Sequence, residues 1–211
     1  MRVAIIGTGN VGSAIARGLA GKGHALVLGA RDAGKPEVLA LAREIDAAVA
    51  PPADAAAGAD VVVLALPWAK AEGAVPALGD LAGKVVIDCM NPLGMVDGAL
   101  GLVVGHGTSG AEMVQGWLPG ARVVKTLNQV GAEIMAKNDH LPHRPVQFVA
   151  GDDEGAKTAA MRLLADLGFE ALDAGGLRQA RILEPFAMVW INQAILRGKG
   201  RNWAFAAVAG K

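Results

Sequence analysis

The amino-acid sequence predicts an α/β protein with a mainly parallel, doubly wound sheet and a short C-terminal helical segment. In residues 3–16 an apolar β-branched run enters a G-x-G-x-x-G turn and then a helical pattern. Further apolar runs alternate with helical patterns along most of the chain, as in parallel sheets covered on both faces. We therefore expect a Rossmann-type dinucleotide-binding domain over residues 1–176. Residues 177–211 are expected to form a helical appendage, packed on this domain or on a dimer partner.

The composition and net charge of the chain argue against several classes of protein. The chain has 211 residues, of which 53% are hydrophobic, and its 20 Lys and Arg balance its 20 Asp and Glu. A formal net charge of zero gives no broad field to attract nucleic acid or a membrane surface. The single cysteine, Cys89, excludes an internal disulfide and is typical of a reducing compartment. No apolar run reaches the roughly 20 residues that span a bilayer. The sequence therefore predicts a cytoplasmic protein that binds neither nucleic acid nor membrane.

The glycine-rich turn after the first strand is the expected pyrophosphate site. Gly7 permits the tight turn, Gly9 lets the backbone approach a pyrophosphate, and Gly12 lets the helix pack close to the strand. The start of that helix also offers unpaired N–H groups to phosphate oxygens. The predicted contacts are Gly7, Thr8, Gly9, Asn10, Val11 and Gly12. The alternative is a glycine-rich turn in an α/β domain that binds no ligand.

The end of the second predicted strand, residues 24–29, indicates which dinucleotide binds. In this fold an acidic residue here accepts hydrogen bonds from a free ribose hydroxyl, whereas a basic residue accommodates a 2′-phosphate. Arg31 can bind a phosphate through two N–H groups, and Lys35 can add a point charge. We therefore predict NADP(H). Asp32 keeps NAD open as an alternative, in which Arg31 and Asp32 are solvated turn residues.

The carboxyl ends of the next parallel strands supply the remaining candidate contacts, because these ends line the ligand crevice of an open α/β sheet. The strands are predicted over residues 59–66, 83–88 and 121–128. The further cofactor contacts expected there are Leu66, Pro67, Trp68 and Asn91, and the expected substrate contacts are Asn91, Pro92, Lys125 and Asn128. In the alternative readings, Trp68 packs on the sheet, Asn91 caps a turn, and Lys125 is solvated or ion-paired.

The other elements follow from periodicity and capping signals. Helices are predicted over residues 10–20, 36–44, 154–167 and 178–196, from the capping box at Ser109, and, as a short closing helix, over 201–205. Residues 94–107 and 131–145 are predicted to be loops. The two histidines of the second loop, His140 and His143, have no third ligand nearby, so no metal site is predicted. The apolar stripe of the terminal helix predicts a homodimer.

Several segments together resemble the coenzyme F-420-dependent NADP oxidoreductases. They are Gly7-Thr8-Gly9-Asn10-Val11-Gly12, Gly29-Ala30-Arg31, Leu66-Pro67-Trp68, Gly151-Asp152-Asp153, Asp173-Ala174-Gly175-Gly176-Leu177 and Arg181-Ile182-Leu183-Glu184. The segment 123–128 is also similar to the NADPH-binding domain of the STEAP metalloreductases, a related branch.

The resemblance implies direct hydride exchange between C4 of a nicotinamide and C5 of a bound deazaflavin, coenzyme F-420. It assigns the 2′-phosphate clamp to Arg31 and Lys35, but the serine that usually precedes the arginine is Ala30 here, which removes one hydroxyl donor. Such a transfer depends on positioning, so no catalytic side chain is predicted. The sequence has no Tyr, which excludes a Tyr-Lys proton relay. The alternatives are reduction of a flavin, a ferric chelate or a small carbonyl or imine, and a non-catalytic NADP-binding sensor.

Overall fold

The computed structural model describes residues 1–210 and is built around an eight-stranded sheet. The strands, in chain order, are β1 (Arg2–Ile6), β2 (Ala25–Gly29), β3 (Ala48–Ala50), β4 (Val61–Leu64), β5 (Val85–Asp88), β6 (Leu93–Val96), β7 (Ala99–Leu102), β8 (Arg122–Lys125), β9 (Val146–Gly151) and β10 (Glu170–Gly175). Across the sheet the order is β10, β9, β8, β5, β4, β1, β2 and β3, while β6 and β7 form a separate hairpin. The predicted fold class, a doubly wound and mainly parallel sheet, is confirmed.

Six of the eight strands are parallel and end at one edge. The register pairs Ile6 with Leu64, Leu64 with Asp88, and Asp88 with Lys125, so the last residues of β1, β4, β5 and β8 lie side by side. β9 runs antiparallel to β8, and β10 runs parallel to β9. The carboxyl ends of the parallel strands therefore form the crevice edge at which this fold binds ligands.

Helices cover both faces of the sheet. They are α1 (Asn10–Leu19), α2 (Pro36–Ile45), α3 (Pro52–Ala57), α4 (Ala71–Ala74), α5 (Gly110–Trp117), α6 (Ala132–Ala136), α7 (Glu154–Asp166) and α8 (Ala180–Ile191). On β1, Val3 and Ile5 pack in the hydrophobic cluster with α1, α2, α6 and α7, whereas Ala4 and Ile6 pack with α3, α4, α5 and the start of α8. Burial on both faces explains why the strands are continuous apolar runs without alternation. Within residues 1–210, no helix has the length and apolar character of a membrane span.

The predicted loop over residues 94–107 is wrong, because it contains the β6–β7 hairpin. The two central residues of its turn, Asp97 and Gly98, have φ angles of 51° and 79°. Positive φ at both positions fits a type I′ turn, and Asp-Gly is among the sequences that favour this turn. This dipeptide, between Met95-Val96 and Ala99-Leu100, is the signal that reveals the hairpin in the sequence.

The predicted loop over residues 131–145 is also only partly right. Its first part is α6, whose buried Ile134 and Met135 join the cluster beneath α1. The two helices approach closely at Gly18, where an added Cβ would lie 2.7 Å from the carbonyl oxygen of Met135. Five residues are too few to form a stable helix alone, so tertiary packing on α1 stabilises this one.

The C-terminal segment differs from its prediction in two ways. The predicted helix 178–196 is divided into a 3₁₀ turn (Leu177–Gln179), α8 and a π-helical turn (Asn192–Leu196), with Pro185 inside α8. The predicted closing helix over 201–205 is wrong. This stretch has no regular helix, and the carbonyl oxygen of Phe205 accepts a hydrogen bond from the N–H of Val146 at the start of β9. The proposed boundary after residue 176 falls between β10 and the 3₁₀ turn and remains a prediction; the last residue of the appendage, Lys211, lies outside the described residues.

Candidate dinucleotide site

The glycine turn between β1 and α1 has three different local environments. Gly7 has a φ of 103°, and an added Cβ would lie 2.5 Å from the carbonyl oxygen of Ala65. A Cβ on Gly12 would lie 1.8 Å from the carbonyl oxygen of Gly7, so only glycine allows α1 to pack this close to the turn. A Cβ on Gly9, in contrast, would have no protein atom within 4 Å. The space beside Gly9 is thus open to a ligand, which fits the pyrophosphate of a dinucleotide.

The N-terminus of α1 is available for anion binding. Gly9 occupies the N-cap position with no side-chain cap, and the first turn contains no acidic residue. The first helical hydrogen bond runs from the N–H of Ser13 to the carbonyl oxygen of Gly9, so the N–H groups of Asn10, Val11 and Gly12 precede the helical ladder. Both α5 and α7 are capped instead, by Ser109 and Asp153. An uncapped helix N-terminus next to open space is suited to phosphate oxygens.

A cleft of about 980 Å³ extends along the carboxyl ends of β1, β2, β3 and β4. This volume is of the size that ligand sites occupy. Its wall consists of the glycine turn, the ends of β2 and β3, and the segment after β4. The lining residues are Ile6, Gly7, Thr8, Gly9, Gly29, Ala30, Arg31, Asp32, Lys35, Val38, Pro51, Pro52, Ala53, Ala65, Leu66, Pro67, Lys70, Gly73, Ala74, Ala77 and Leu78.

The residues after β2 give the cleft its cations. Arg31 and Lys35 are both exposed and line the cleft. Lys35 lies 3.8 Å from a carboxylate oxygen of Glu37, a loose and exposed pair. One carboxylate oxygen of Asp32 accepts a hydrogen bond of 3.1 Å from the N–H of Gly34 and so holds its own loop. The arrangement favours a 2′-phosphate over a free ribose hydroxyl, because two cations face the cleft and the acidic side chain is engaged locally.

The cleft brings together seven of the twelve predicted cofactor contacts. Those lining it are Gly7, Thr8, Gly9, Arg31, Lys35, Leu66 and Pro67. Asn10, Val11 and Gly12 lie in the first turn of α1, outside the lining, and their backbone N–H groups precede the helical ladder. Trp68 and Asn91 are outside the lining. Trp68 stacks on Trp117 of α5, with ring centroids 5.7 Å apart and planes inclined by 27°, so the packing alternative describes this residue better.

Several lining residues were missed in the sequence. Lys70 lies in the 3₁₀ turn after Pro67 and adds a third cation to the cleft. The turn after β3 contributes Pro51, Pro52 and Ala53, an apolar wall without a charged or motif residue to mark it. The signal available for both groups was positional, because each follows a parallel strand whose carboxyl end lines the crevice.

Asn128, a predicted substrate contact, lies within a hydrogen-bond network of the protein itself. Its side-chain N–H groups donate to Asn91 Oδ1 at 3.0 Å and to the carbonyl oxygen of Leu183 at 3.0 Å, and its Oδ1 accepts from Gln129 at 2.9 Å. Only 5% of the residue is exposed. Asn91 in turn donates to the backbone carbonyl of Asn128 at 2.8 Å. The two amides therefore join the segments after β5 and β8 to each other.

Two further predicted substrate contacts, Pro92 and Lys125, are buried in the structure. Pro92 is buried at the base of the hairpin, where its carbonyl oxygen accepts from the N–H of Val103 at 2.8 Å. The ammonium of Lys125 is fully buried, 3.0 Å from Asp88 Oδ2 and 2.9 Å from Glu184 Oε1. Burial alone favours the neutral amine, but the charges of the two carboxylates outweigh it and raise the pKa of Lys125. Lys125 is thus a buried cation that faces the protein interior.

Two of the segments that carry the family resemblance, residues 151–153 and 173–177, lie away from the cleft. β10 is an edge strand, with β9, β8, β5 and β4 between it and β1. Asp152 accepts a hydrogen bond from the N–H of Leu177 at 2.8 Å, and Asp173 accepts one from Lys157 at 2.8 Å. The bond from Lys157 holds the pKa of Asp173 below its usual value. The first bond connects the residue after β9 to the 3₁₀ turn, and the second connects β10 to α7, so these residues support the fold.

An open glycine turn, an uncapped helix and a cationic rim at the crevice of a doubly wound sheet define a dinucleotide-binding protein of the Rossmann class. The family described as NADP oxidoreductase, coenzyme F420-dependent, matches residues 2–92. The chain is 33% identical to the F420-dependent NADP reductase of Methanothermobacter thermautotrophicus, over 96% of this chain and 92% of that protein. It belongs to this family and is an NADP(H)-dependent oxidoreductase.

Two other relatives extend the comparison. A crystal structure of a candidate F420-dependent NADP reductase from Arthrobacter sp. FB24 is 34% identical, with a TM-score of 0.89, and the match covers 99% of this chain and 100% of that chain. The metalloreductase STEAP3 of Rattus norvegicus is 29% identical over 87% of this chain but only 36% of its own length. Both branches of the predicted resemblance are therefore found.

Proposed function

We propose that the protein exchanges a hydride between NADP(H) and the deazaflavin coenzyme F420. The observation that carries this proposal is the cleft, which joins an open glycine turn to a cationic rim in a chain related throughout its length to F420-dependent NADP reductases. The family relation supports the acceptor, and the shape and charge of the cleft support the phosphorylated dinucleotide.

The proposed cofactor contacts follow the cleft from one end to the other. The pyrophosphate binds beside Gly9, on the N–H groups at the start of α1. The 2′-phosphate binds between Arg31 and Lys35 at the rim, and Lys70 adds a charge nearby. Leu66 and Pro67 continue the cleft toward the ends of β4 and β5, where we place the nicotinamide.

The chemistry of this site requires orientation and exclusion of water. NADPH supplies a hydride from its nicotinamide ring when it is bound. The residues of this chain hold the dinucleotide at its phosphates and provide apolar walls beside the ring, and no side chain is required as an acid or base. The polar side chains near the ends of β5 and β8 bond to each other and so hold each other in place. We propose no catalytic side chain.

The experiment that tests the proposal is an acceptor panel. Purified protein is mixed with NADPH and, separately, the deazaflavin, FMN, a ferric chelate with FMN, small carbonyls and imines, and loss of reduced nicotinamide absorbance is followed. We expect rapid turnover with the deazaflavin. Turnover with the flavin and ferric chelate alone would favour a reductase closer to the STEAP branch. Tight NADPH binding with no turnover on any acceptor would favour a sensor.

We also propose that the protein is a homodimer through the outer face of α8. Ile182 and Val189 of α8 are 60% and 50% exposed, and Ile195 and Leu196 of the following turn are 50% and 55% exposed. A continuous apolar helix face of this kind is typical of a contact between copies. Analytical ultracentrifugation of the wild type and of Val189→Lys tests it: the dimer is expected to dissociate in the variant, and a monomeric wild type would contradict the proposal.

A further inference from the structure

A buried charged cluster lies at the ends of β5 and β8, at the same edge of the sheet as the cleft. It consists of Asp88, Lys125 and Glu184, whose side chains are 0%, 0% and 1% exposed. Two carboxylates face one ammonium, so the cluster carries one excess negative charge. The N-terminus of α5 stabilises this excess negative charge. Its first N–H groups, from Gly110 and Ala111, donate to Glu184 at 2.9 and 3.1 Å. The positive end of the helix dipole thus faces the surplus charge.

Every polar group of the cluster has a partner. Lys125 donates to Asp88, to Glu184 and to the carbonyl oxygen of Met90, which accounts for its three N–H bonds. The second oxygen of Asp88 accepts from the N–H of Met90 at 2.9 Å. A fully satisfied buried network is rigid, because moving one member leaves another unpaired.

The turn after β5 is the part of the protein that this cluster holds. Met90 is bound on both sides, through its N–H to Asp88 and through its carbonyl to Lys125. The preceding residue, Cys89, donates its N–H to the carbonyl oxygen of Leu64 at 3.2 Å, at the end of β4, and two residues beyond Leu64 lies Leu66 of the cleft wall. The following residue, Asn91, is fixed by Asn128. The cluster therefore determines where the turn lies relative to the cleft.

Stability alone does not explain a buried cluster of this kind. Apolar side chains of similar volume usually fill such a space with equal or better stability, because they avoid the desolvation of three charges. A second lysine, Lys157, pairs with carboxylates that are exposed instead of buried. Lys157 of α7 also pairs with two carboxylates, Glu154 and Asp173, both at 2.8 Å, but these are 84% and 44% exposed, and α7 covers the other face of the sheet.

We infer that Lys125 is a positioning residue, which acts through Met90 to set the turn 89–91 against the nicotinamide end of the bound dinucleotide. The inference rests on the proposed placement of the nicotinamide at the ends of β4 and β5. It does not depend on the identity of the hydride acceptor. The contacts of Lys125 lead to Met90 and the two carboxylates, so it touches neither cofactor nor substrate itself.

Two variants separate positioning from folding. Lys125→Met leaves two buried carboxylates without their cation, so it can fail to fold. The triple variant Asp88→Asn, Lys125→Met, Glu184→Gln removes all three charges together and is expected to fold, with an unfolding midpoint within a few degrees of the wild type. Lys157→Met is the matched control, since it also removes a lysine held by two carboxylates.

The measurements are made on the complete chain. Affinity for 2′,5′-ADP reports the adenine end and is expected to stay within about twofold in every variant. The fluorescence lifetime of the dihydronicotinamide in bound NADPH reports how firmly the ring is held, and we expect it to shorten in the triple variant and to remain unchanged in Lys157→Met. Hydride transfer to the acceptor that the panel identifies is expected to fall by about 10- to 100-fold in the triple variant, with little change in KM for NADPH.

The outcomes are decisive in each direction. A triple variant that folds and binds 2′,5′-ADP but keeps the wild-type nicotinamide lifetime would overturn the inference, as would an equal change in Lys157→Met. If the wild type fails to reduce the deazaflavin, the proposed acceptor is wrong, and the lifetime comparison still decides the role of Lys125.

Discussion

The cleft and the neighbouring strand ends, where we propose that the nicotinamide binds, are built on opposite principles. In the cleft, the proposed adenine end, the cavity is open, its cations are exposed, and the glycine turn leaves space beside Gly9. At the proposed nicotinamide end, after β5 and β8, the polar side chains are turned inward: Asn91 and Asn128 bond to each other, and Lys125 is buried between carboxylates. The adenine end has exposed charges to bind a ligand, whereas the polar groups of the nicotinamide end bond to one another. Substitutions at the adenine end should therefore alter the affinity for NADPH, and substitutions at the nicotinamide end should alter the rate of hydride transfer.

The strongest test of the adenine end is Gly12→Ala. The added Cβ would lie 1.8 Å from the carbonyl oxygen of Gly7, so α1 must move away from the turn. We expect a loss of about 1–3 kcal/mol in the free energy of unfolding, typical of overpacking, and loss of measurable NADPH binding. Chemical denaturation measures the free energy of unfolding, and isothermal titration calorimetry measures the affinity for NADPH. Unchanged NADPH affinity would show that the turn tolerates displacement of the helix.

Gly9→Ala is the matched substitution without a clash. Its Cβ would meet no protein atom within 4 Å, and the backbone has φ −76° and ψ −167°, which alanine also adopts. Stability should be unchanged or raised by about 0.4–1 kcal/mol, since alanine restricts the unfolded chain. The methyl group would occupy the space proposed for the pyrophosphate, so we expect NADPH affinity to fall by about 10- to 100-fold, or about 1.4–2.8 kcal/mol. An affinity equal to that of the wild type would place the pyrophosphate elsewhere.

Arg31→Ala tests the cationic rim. A charge-assisted hydrogen bond contributes about 1.5–3 kcal/mol, so we expect NADPH affinity to fall by about 10- to 100-fold and NADH affinity to change little. The comparison of the two dinucleotides is the internal control, because they differ only at the 2′ position. Equal losses of NADPH and NADH affinity would show that Arg31 does not bind the 2′-phosphate. Lys35 is a point charge at an exposed position. Lys35→Ala should therefore also weaken NADPH binding more than NADH binding, but by less than Arg31→Ala.

Ala30→Ser is expected to have the smallest effect and the opposite sign. Ala30 lines the cleft immediately before Arg31, where the family resemblance implies a serine. A hydroxyl there can donate to the 2′-phosphate, and a single neutral hydrogen bond contributes about 0.5–1.5 kcal/mol. NADPH should therefore bind about 2- to 10-fold more tightly, while NADH is unaffected. Weaker binding of NADPH would indicate that the hydroxyl at this 7%-exposed position is desolvated without a partner.

The sequence predicts the adenine end better than the nicotinamide end for a physical reason. The roles of Gly7, Gly9 and Gly12 depend on neighbours a few residues away, and Arg31 follows directly from its strand. Lys125 was correctly placed at the end of its strand, but its burial depends on Asp88 and Glu184, which are distant in the chain. The pairing of Asn91 with Asn128 spans 37 residues. A motif shows which strand end a residue occupies, whereas only the packed structure shows which partners its polar group bonds to.

The same distinction holds for the elements themselves. Long periodic segments, such as those that became α1 and α7, agree with the structure to within one or two residues. α6 has only five residues and depends on its contact with α1, so its own periodicity is too short to predict it. The β6–β7 hairpin was missed although Asp97-Gly98 marks its turn, because the surrounding glycines suggested an irregular loop.

The stacking of Trp68 on Trp117 also gives the protein a built-in optical reporter. The chain has four tryptophans and no tyrosine, so its intrinsic emission comes from tryptophan alone. The four rings form two stacked pairs, Trp68 with Trp117 at 5.7 Å and Trp190 with Trp203 at 5.8 Å between centroids. The first pair adjoins Pro67 of the cleft wall, and the second joins α8 to the C-terminal segment. Replacing either pair with phenylalanine would leave a spectrum that reports a single region, one following dinucleotide binding and the other following the terminal helix.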